Sequence, residues 1–108
     1  MGPGNKEVLQ ALDRTSVLIN VGRGTAVDEQ ALVNEIGNEG IRAAVLDVFC
    51  DEPLPENHPL WKMDNVFITP HNSAQTFPAD IAEIFCDNYR KFRTGKPLKF
   101  VVDFDQGY

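Results

Sequence analysis

The 108 residues suffice for one compact domain with a modest core and are too few for two. A hydrophobic content of 43% and a charged content of 24% are ordinary for a globular chain, while a formal net charge of -6 argues against nucleic acid or an anionic membrane as partner. No apolar stretch approaches the roughly 18 uninterrupted residues of a membrane span. Cys50 and Cys86 show neither framework spacing nor a preceding signal sequence, so reduced thiols in the cytoplasm are expected.

The Gly/Pro-rich opening "MGPGN" is set aside from the fold. A short helix is predicted from Glu7 to Leu12. "SVLINV" follows as a strand, β-branched and apolar on both faces in the manner of a buried parallel sheet. Asp28 is a good N-cap for a helix whose apolar stripe is Ala31, Leu32 and Ile36, with Gly37 and Gly40 bracketing its stop. "RAAVLDVF" is the second strand, ended by Asp47, and "DEPLPENHPLW" is a loop stiffened by its prolines. "NVFIT" is the third strand and "PHNSAQT" the loop leaving it. A long helix starts near Pro78, carries Ile81, Ile84, Phe85, Tyr89 and Phe92 on one face, and stops at Gly95 and Pro97. Arg90, Lys91, Arg93 and Lys96 fall near its end, where cations complement the helix dipole. "LKFVVDF" is read as a last short strand.

Strands alternating with helices imply a parallel sheet with right-handed crossovers, an α/β doubly wound architecture. Ligands of such sheets bind beyond the carboxyl ends of the strands. Three segments sit there: Gly22-Arg23-Gly24, Asp47 through Glu52, and His71 through Ala74. An arginine, several carboxylates and a histidine therefore converge on one edge.

"VGRGTAV" begins like the dinucleotide fingerprint Gly-x-Gly-x-x-Gly, but Val27 occupies the third glycine position, where close helix–strand packing needs a glycine. The competing reading makes Arg23 the working group, since a planar guanidinium binds a carboxylate bidentately and flanking glycines admit a ligand closely. Spacing alone does not separate this from an arginine paired with a neighbouring carboxylate. His71, directly after Pro70 at a strand end, and Glu52, in an acidic turn, could each be a solvated loop residue; together they permit a histidine–carboxylate dyad. An anion beside an imidazole favours its protonated form, which suits a general acid near neutrality. Cys50 and His71 lack metal-ligand spacing, so no metal is expected, and Cys50 lacks the surroundings of a nucleophile. "PLPENHP" contains no P-x-x-P ligand motif.

Taken together, "LINVGRGTAVDEQAL", "AAVLDVFCDEPLPENHPLW" and "NVFITPHNSAQT" closely resemble the D-isomer-specific 2-hydroxyacid dehydrogenases, the family of hydroxypyruvate/glyoxylate reductases, phosphoglycerate dehydrogenases and D-lactate dehydrogenases. The resemblance is dense from Leu12 to Thr76 and looser over the following helix. It implies that Arg23 holds the substrate carboxylate and carbonyl, that His71 donates a proton to the carbonyl oxygen as hydride arrives from a nicotinamide, and that Glu52 partners His71. It further implies cofactor contacts at Val21, Gly22, Arg23, Asp47, His71, Asn72, Ser73 and Ala74, the cofactor being NAD or NADP, and a small 2-oxo or 2-hydroxy acid as substrate.

Family members are longer, with a substrate domain and a glycine-rich phosphate loop ahead of the region matched here. The chain thus resembles the second mononucleotide half of a Rossmann-like sheet with a long C-terminal helix. Residues 1–94 correspond to the C-terminal part of an NAD(P)-binding domain and 95–108 to a tail returning to the substrate domain. Weak cofactor binding and no activity alone are expected. The alternative is a non-catalytic module that self-associates, and in either case half a sheet should seek a homo-oligomeric partner or the missing N-terminal segment to cover its edge and apolar faces.

Overall fold

The computed structural model describes Gly2 and residues 4–107, which form two units, Met1–Ser73 and Ala74–Tyr108. In the first, helix α1 (Lys6–Gln10) precedes strand β1 (Val17–Asn20), helix α2 (Glu29–Gly37), strand β2 (Ala43–Leu46) and strand β3 (Val66–Ile68). Single 3-10 turns occupy Gly24–Ala26 and Pro59–Lys62. The strands form one parallel sheet in the order β1-β2-β3. The second unit is built on helix α3 (Pro78–Arg93). The architecture is α/β and Rossmann-like, with the long C-terminal helix anticipated from sequence.

Local chemistry explains most element boundaries. The Asp28 carboxylate accepts the Ala31 N–H at 3.0 Å and caps α2, which buries Ala31, Leu32 and Ile36 as its spacing predicts. Asn5 caps α1 in the same way through the Val8 N–H, so that helix starts and ends earlier than the predicted Glu7–Leu12. Gly4 and Asn5 of the opening segment, set aside from the fold on its composition, belong to it. Gly4 N–H donates to the Ala26 carbonyl at 2.8 Å, and the Gly4 carbonyl accepts the Asp28 N–H at 3.0 Å. A side chain at Gly4 would press on Ala26 and Val27, so this backbone pairing needs glycine there.

The core lies on one face of the sheet. Leu9 of α1 and Leu32 and Ile36 of α2 pack with Ala44 and Leu46 of β2, and with Leu54 and Leu60 from the proline-rich loop. Each fully buried leucine contributes about 1.5–3 kcal/mol. The other face departs from expectation. Ile19, Val45 and Phe67 are cross-strand neighbours in register, and Ile19 and Phe67 are exposed. β1 is therefore apolar on both faces but buried on only one, because within its unit both helices serve the same side.

Prolines alone do not stiffen the loop between β2 and β3. The Trp61 indole N–H donates to the Pro55 carbonyl at 2.9 Å, and the His58 ring nitrogen Nδ1 accepts the Leu60 N–H at 3.2 Å. In the second unit, α3 ends at Thr94 and Gly95, whose φ of 67° only glycine adopts without strain. The apolar stripe of α3 is present as predicted and exposed. No strand forms over "LKFVVDF". Asn88 holds Lys99 by two side-chain to main-chain hydrogen bonds of 2.9 Å, and Phe100 turns left-handed at φ 57°, which interrupts an extended run.

Candidate active site

Gly22-Arg23-Gly24, Asp47 through Glu52 and His71 through Ser73 occupy the carboxyl edge of the sheet, beyond the strand ends where they are expected. The turn after β1 is braced by Asn20, a polar residue buried at the end of an apolar strand. Its amide donates to the Arg23 carbonyl at 3.0 Å, and its carbonyl oxygen accepts the Gly22 N–H at 3.2 Å. Gly24 is buried, and a Cβ there would overlap the Phe49 carbonyl and the Cys50 nitrogen. The second glycine of "GRG" thus lets the first loop pack against the second. Val27, at the supposed third glycine position, is a core residue.

Between the glycines, the Arg23 guanidinium donates to the Gly22 carbonyl at 2.9 Å and, among the described residues, enters no ion pair. The spacing leaves an ion-paired arginine open; in the structure the guanidinium has a carbonyl partner and no carboxylate partner among the described residues. α2 begins with two acidic residues, Asp28 and Glu29, and Glu29 accepts the Cys50 N–H at 2.7 Å. Carboxylates there repel a phosphate, which disqualifies the helix start as an anion cradle. The same anions and burial raise the pKa of the Cys50 thiol, burial being the larger cause, so the thiol is held in its unreactive form.

Glu52 and His71 meet. Glu52 Oε2 lies 2.7 Å from His71 Nδ1, and Glu52 Oε1 accepts the Phe49 N–H at 3.0 Å. The Phe49 N–H above all, then the His71 ring, with a smaller contribution from the charge of Arg23, hold the Glu52 carboxyl below its ordinary range against the opposing effect of burial. The Glu52–Pro53 peptide is cis. His71 itself has φ 52°, in the left-handed region. With Nδ1 engaged, Nε2 remains the nitrogen open to another partner. Phe49, Leu54, Trp61 and Thr69 join Glu52 and His71 around a largely apolar cavity of about 480 Å³.

Asp47 is 1% exposed. Its Oδ1 accepts the Thr69 hydroxyl at 2.5 Å and the Asn72 N–H at 3.0 Å, and its Oδ2 accepts the Ser73 N–H at 3.1 Å. The Thr69 hydroxyl foremost, with Asn72 and Ser73 behind it, outweighs burial and keeps the carboxyl well below the usual carboxylate range. A depressed carboxyl stabilises the fold above its unfolded value and loses that contribution as pH falls through its folded value. Unfolding midpoints in urea are therefore expected to fall as pH drops below about 4. Asp47→Asn should be weaker at neutral pH and flatter below it; two parallel curves would contradict this.

Val21, Gly22, Asn72, Ser73 and Ala74 are exposed; Ala74 opens the second unit. Asn20, Glu29, His58 and Thr69 also support this edge, although no motif marks them in the sequence. Glu29 and His58 lie 3.6 Å apart, and Glu29 ties the start of α2 to Cys50. Among the described residues no three metal-ligating side chains gather, and no helix is long and apolar enough to cross a membrane.

A three-stranded parallel sheet with arginine, carboxylate and histidine at its carboxyl edge defines a dinucleotide-domain type of α/β protein. Residues 4–73 match the family model of the D-isomer specific 2-hydroxyacid dehydrogenase NAD binding domain, and the chain belongs to that family. It is 35% identical over 104 residues to glyoxylate/hydroxypyruvate reductase A of Salmonella newport, covering 96% of this chain and 33% of that protein. It is 42% identical over 106 residues to an uncharacterized protein of Corynebacterium melassecola. The chain thus spans about a third of the length of the curated relatives it matches, 35% and 33% in these two. Among solved structures, a D-isomer specific 2-hydroxyacid dehydrogenase from Xanthobacter autotrophicus Py2 in complex with NADPH and MES superposes with a TM-score of 0.89 at 43% identity, over 99% of this chain and 44% of that one. An NADPH-dependent glyoxylate/hydroxypyruvate reductase from Sinorhizobium meliloti, with NADP and sulfate, gives 0.83 at 32% identity, over 99% and 35%.

Proposed function

We propose that this chain carries the acid–base and carboxylate-binding half of an NAD(P)-dependent oxidoreductase that interconverts 2-oxo acids and D-2-hydroxy acids. The observation that carries the reading is the 2.7 Å contact of Glu52 with His71 Nδ1 at the strand edge that also presents the unpaired Arg23. Reduction of a 2-oxo acid adds a hydride to the carbonyl carbon and a proton to its oxygen. Arg23 binds the substrate carboxylate through its fork and orients the carbonyl. His71 delivers the proton from Nε2, and Glu52 fixes the ring through Nδ1. In the reverse direction His71 takes the proton from the hydroxyl.

The residues at this edge fit the nicotinamide end of the cofactor. Val21, Gly22, Arg23, Asp47 and the loop His71 to Ala74 are the positions that would hold it; the acidic start of α2 does not fit its pyrophosphate. When bound, the nicotinamide supplies the hydride. Alone the chain binds cofactor weakly and is inactive, because the acidic start of α2 offers the pyrophosphate no anion site.

The test is to mix the chain with a purified N-terminal segment of a longer relative and follow NADH and NADPH oxidation with glyoxylate, hydroxypyruvate and pyruvate. Turnover in the mixture and in neither part alone is expected. The exposed stripe of Ile81, Phe85, Tyr89 and Phe92 on α3 favours a second reading, a self-associating module. A mixture without turnover, together with a chain that sediments as a dimer, would overturn the enzymatic reading in its favour.

A further inference from the structure

His71 sits in a left-handed backbone state that a residue with a side chain keeps only where its surroundings over-determine it. The dyad holds the ring and does not hold the backbone. What brackets the histidine is the buried carboxylate of Asp47, which accepts the Thr69 hydroxyl on one side of His71 and the Asn72 and Ser73 N–H groups on the other. The His71 N–H also turns back to the Thr69 carbonyl at 3.1 Å. Both ends of this turn are therefore fastened to one side chain, and Thr69 contributes from its side chain and its main chain at once.

We infer that Thr69 is a positioning residue for His71, acting through Asp47. Its hydroxyl orients the carboxylate so that the loop leaving β3 closes with the imidazole edge against Glu52. Without that donor, Asp47 can rotate toward its main-chain partners alone; the Thr69 N–H still holds the Leu46 carbonyl at 3.0 Å, but the carboxylate that anchors Asn72 and Ser73 beyond His71 loses its fixed orientation. The ring then loses its fixed approach to Glu52 while the rest of the fold, which Thr69 does not touch as a core residue, stays in place.

The consequence is readable on the ring. A carboxylate at Nδ1 keeps the proton of the neutral imidazole on Nδ1, leaving Nε2 bare. The chain's other histidine has the reverse arrangement: His58 Nδ1 accepts the Leu60 N–H, so its proton is on Nε2. Long-range nitrogen–proton NMR spectra of the full chain, recorded where both rings are neutral, distinguish the two forms and give His58 as an internal reference.

In the parent chain and in Thr69→Ser, His71 is expected in the Nδ1–H form. In Thr69→Val that form should become the minor one, with His58 unchanged. A valine variant with both ring patterns of the parent, or a serine variant that loses the His71 pattern while His58 keeps its own, would overturn the inference. Should the valine variant lose the His58 pattern as well, through a methyl group pressed on Asp47, Thr69→Ala carries the same comparison without it. The inference rests on His71 as the proton donor only for its functional meaning. A chain with the predicted ring forms but no turnover after reconstitution would overturn the functional reading and leave the positioning role standing.

Discussion

Gly24→Ala is expected to destabilise the chain by about 3 kcal/mol, whereas Gly22→Ala should stay within about 0.5 kcal/mol of the parent. The two glycines flank the same arginine and look equivalent in sequence. A Cβ at Gly22 would meet only the Asn20 side-chain oxygen, at 3.7 Å. A Cβ at Gly24 would meet main-chain atoms of Phe49 and Cys50, which cannot swing away as a flexible side chain could. Relief requires the first loop to part from the second, which also moves Arg23 away from the segment bearing Glu52. For a domain of this size the melting temperature should fall by roughly 12–24 °C. Thermal unfolding followed by circular dichroism checks it; variants that melt together would refute the close approach of the two loops.

The second large effect concerns the dyad. In an enzyme reconstituted with an N-terminal segment, His71→Ala should lower kcat by about 10²–10⁴, the usual worth of a positioned proton donor. Glu52→Gln should cost less, and the double variant no more than His71→Ala alone, because the two residues act as a unit. The glutamine replacement is informative in its own right. The carboxylate offers one oxygen to the Phe49 N–H and the other to His71. An amide has a single acceptor, so one of these partners must face an NH₂ group. Steady-state kinetics of the four proteins decide the matter: losses that simply multiply would show that Glu52 works independently of His71.

Much of this was legible in the chain itself. Asp28, with Ala31, Leu32 and Ile36 behind it, specified α2 and its buried face, since a cap and a stripe are local properties. The parallel order followed from alternating strands and helices, and the strand-end rule gathered Arg23, Glu52 and His71 on one edge. What escaped was non-local. Gly4 pairs with Ala26 and Asp28 across more than twenty residues, so composition marked it as loop when pairing made it structure. "LKFVVDF" has the β-branched content of a strand, but a strand needs an edge to pair with, and Asn88 captures its main chain instead. The exposed Ile19 and Phe67 carry the pattern of a two-sided sheet, which sequence reports whether or not the covering layer is in the same unit. Thr69 and Asn20 gave only faint signals, a hydroxyl before a proline and an amide closing an apolar strand.

"VGRG" imitates a phosphate loop, but its arginine makes it a carboxylate site in the proposed enzyme. Arg23→Lys in the reconstituted enzyme measures this directly, because an ammonium keeps the charge and loses the bidentate fork. The kcat/KM for the 2-oxo acid should fall by about tenfold or more, and by clearly more than the KM for NADPH rises, as one lost charge-assisted hydrogen bond costs about 1.5–3 kcal/mol. A raised KM for NADPH with unchanged kinetics toward the 2-oxo acid would contradict it and return the turn to the phosphates.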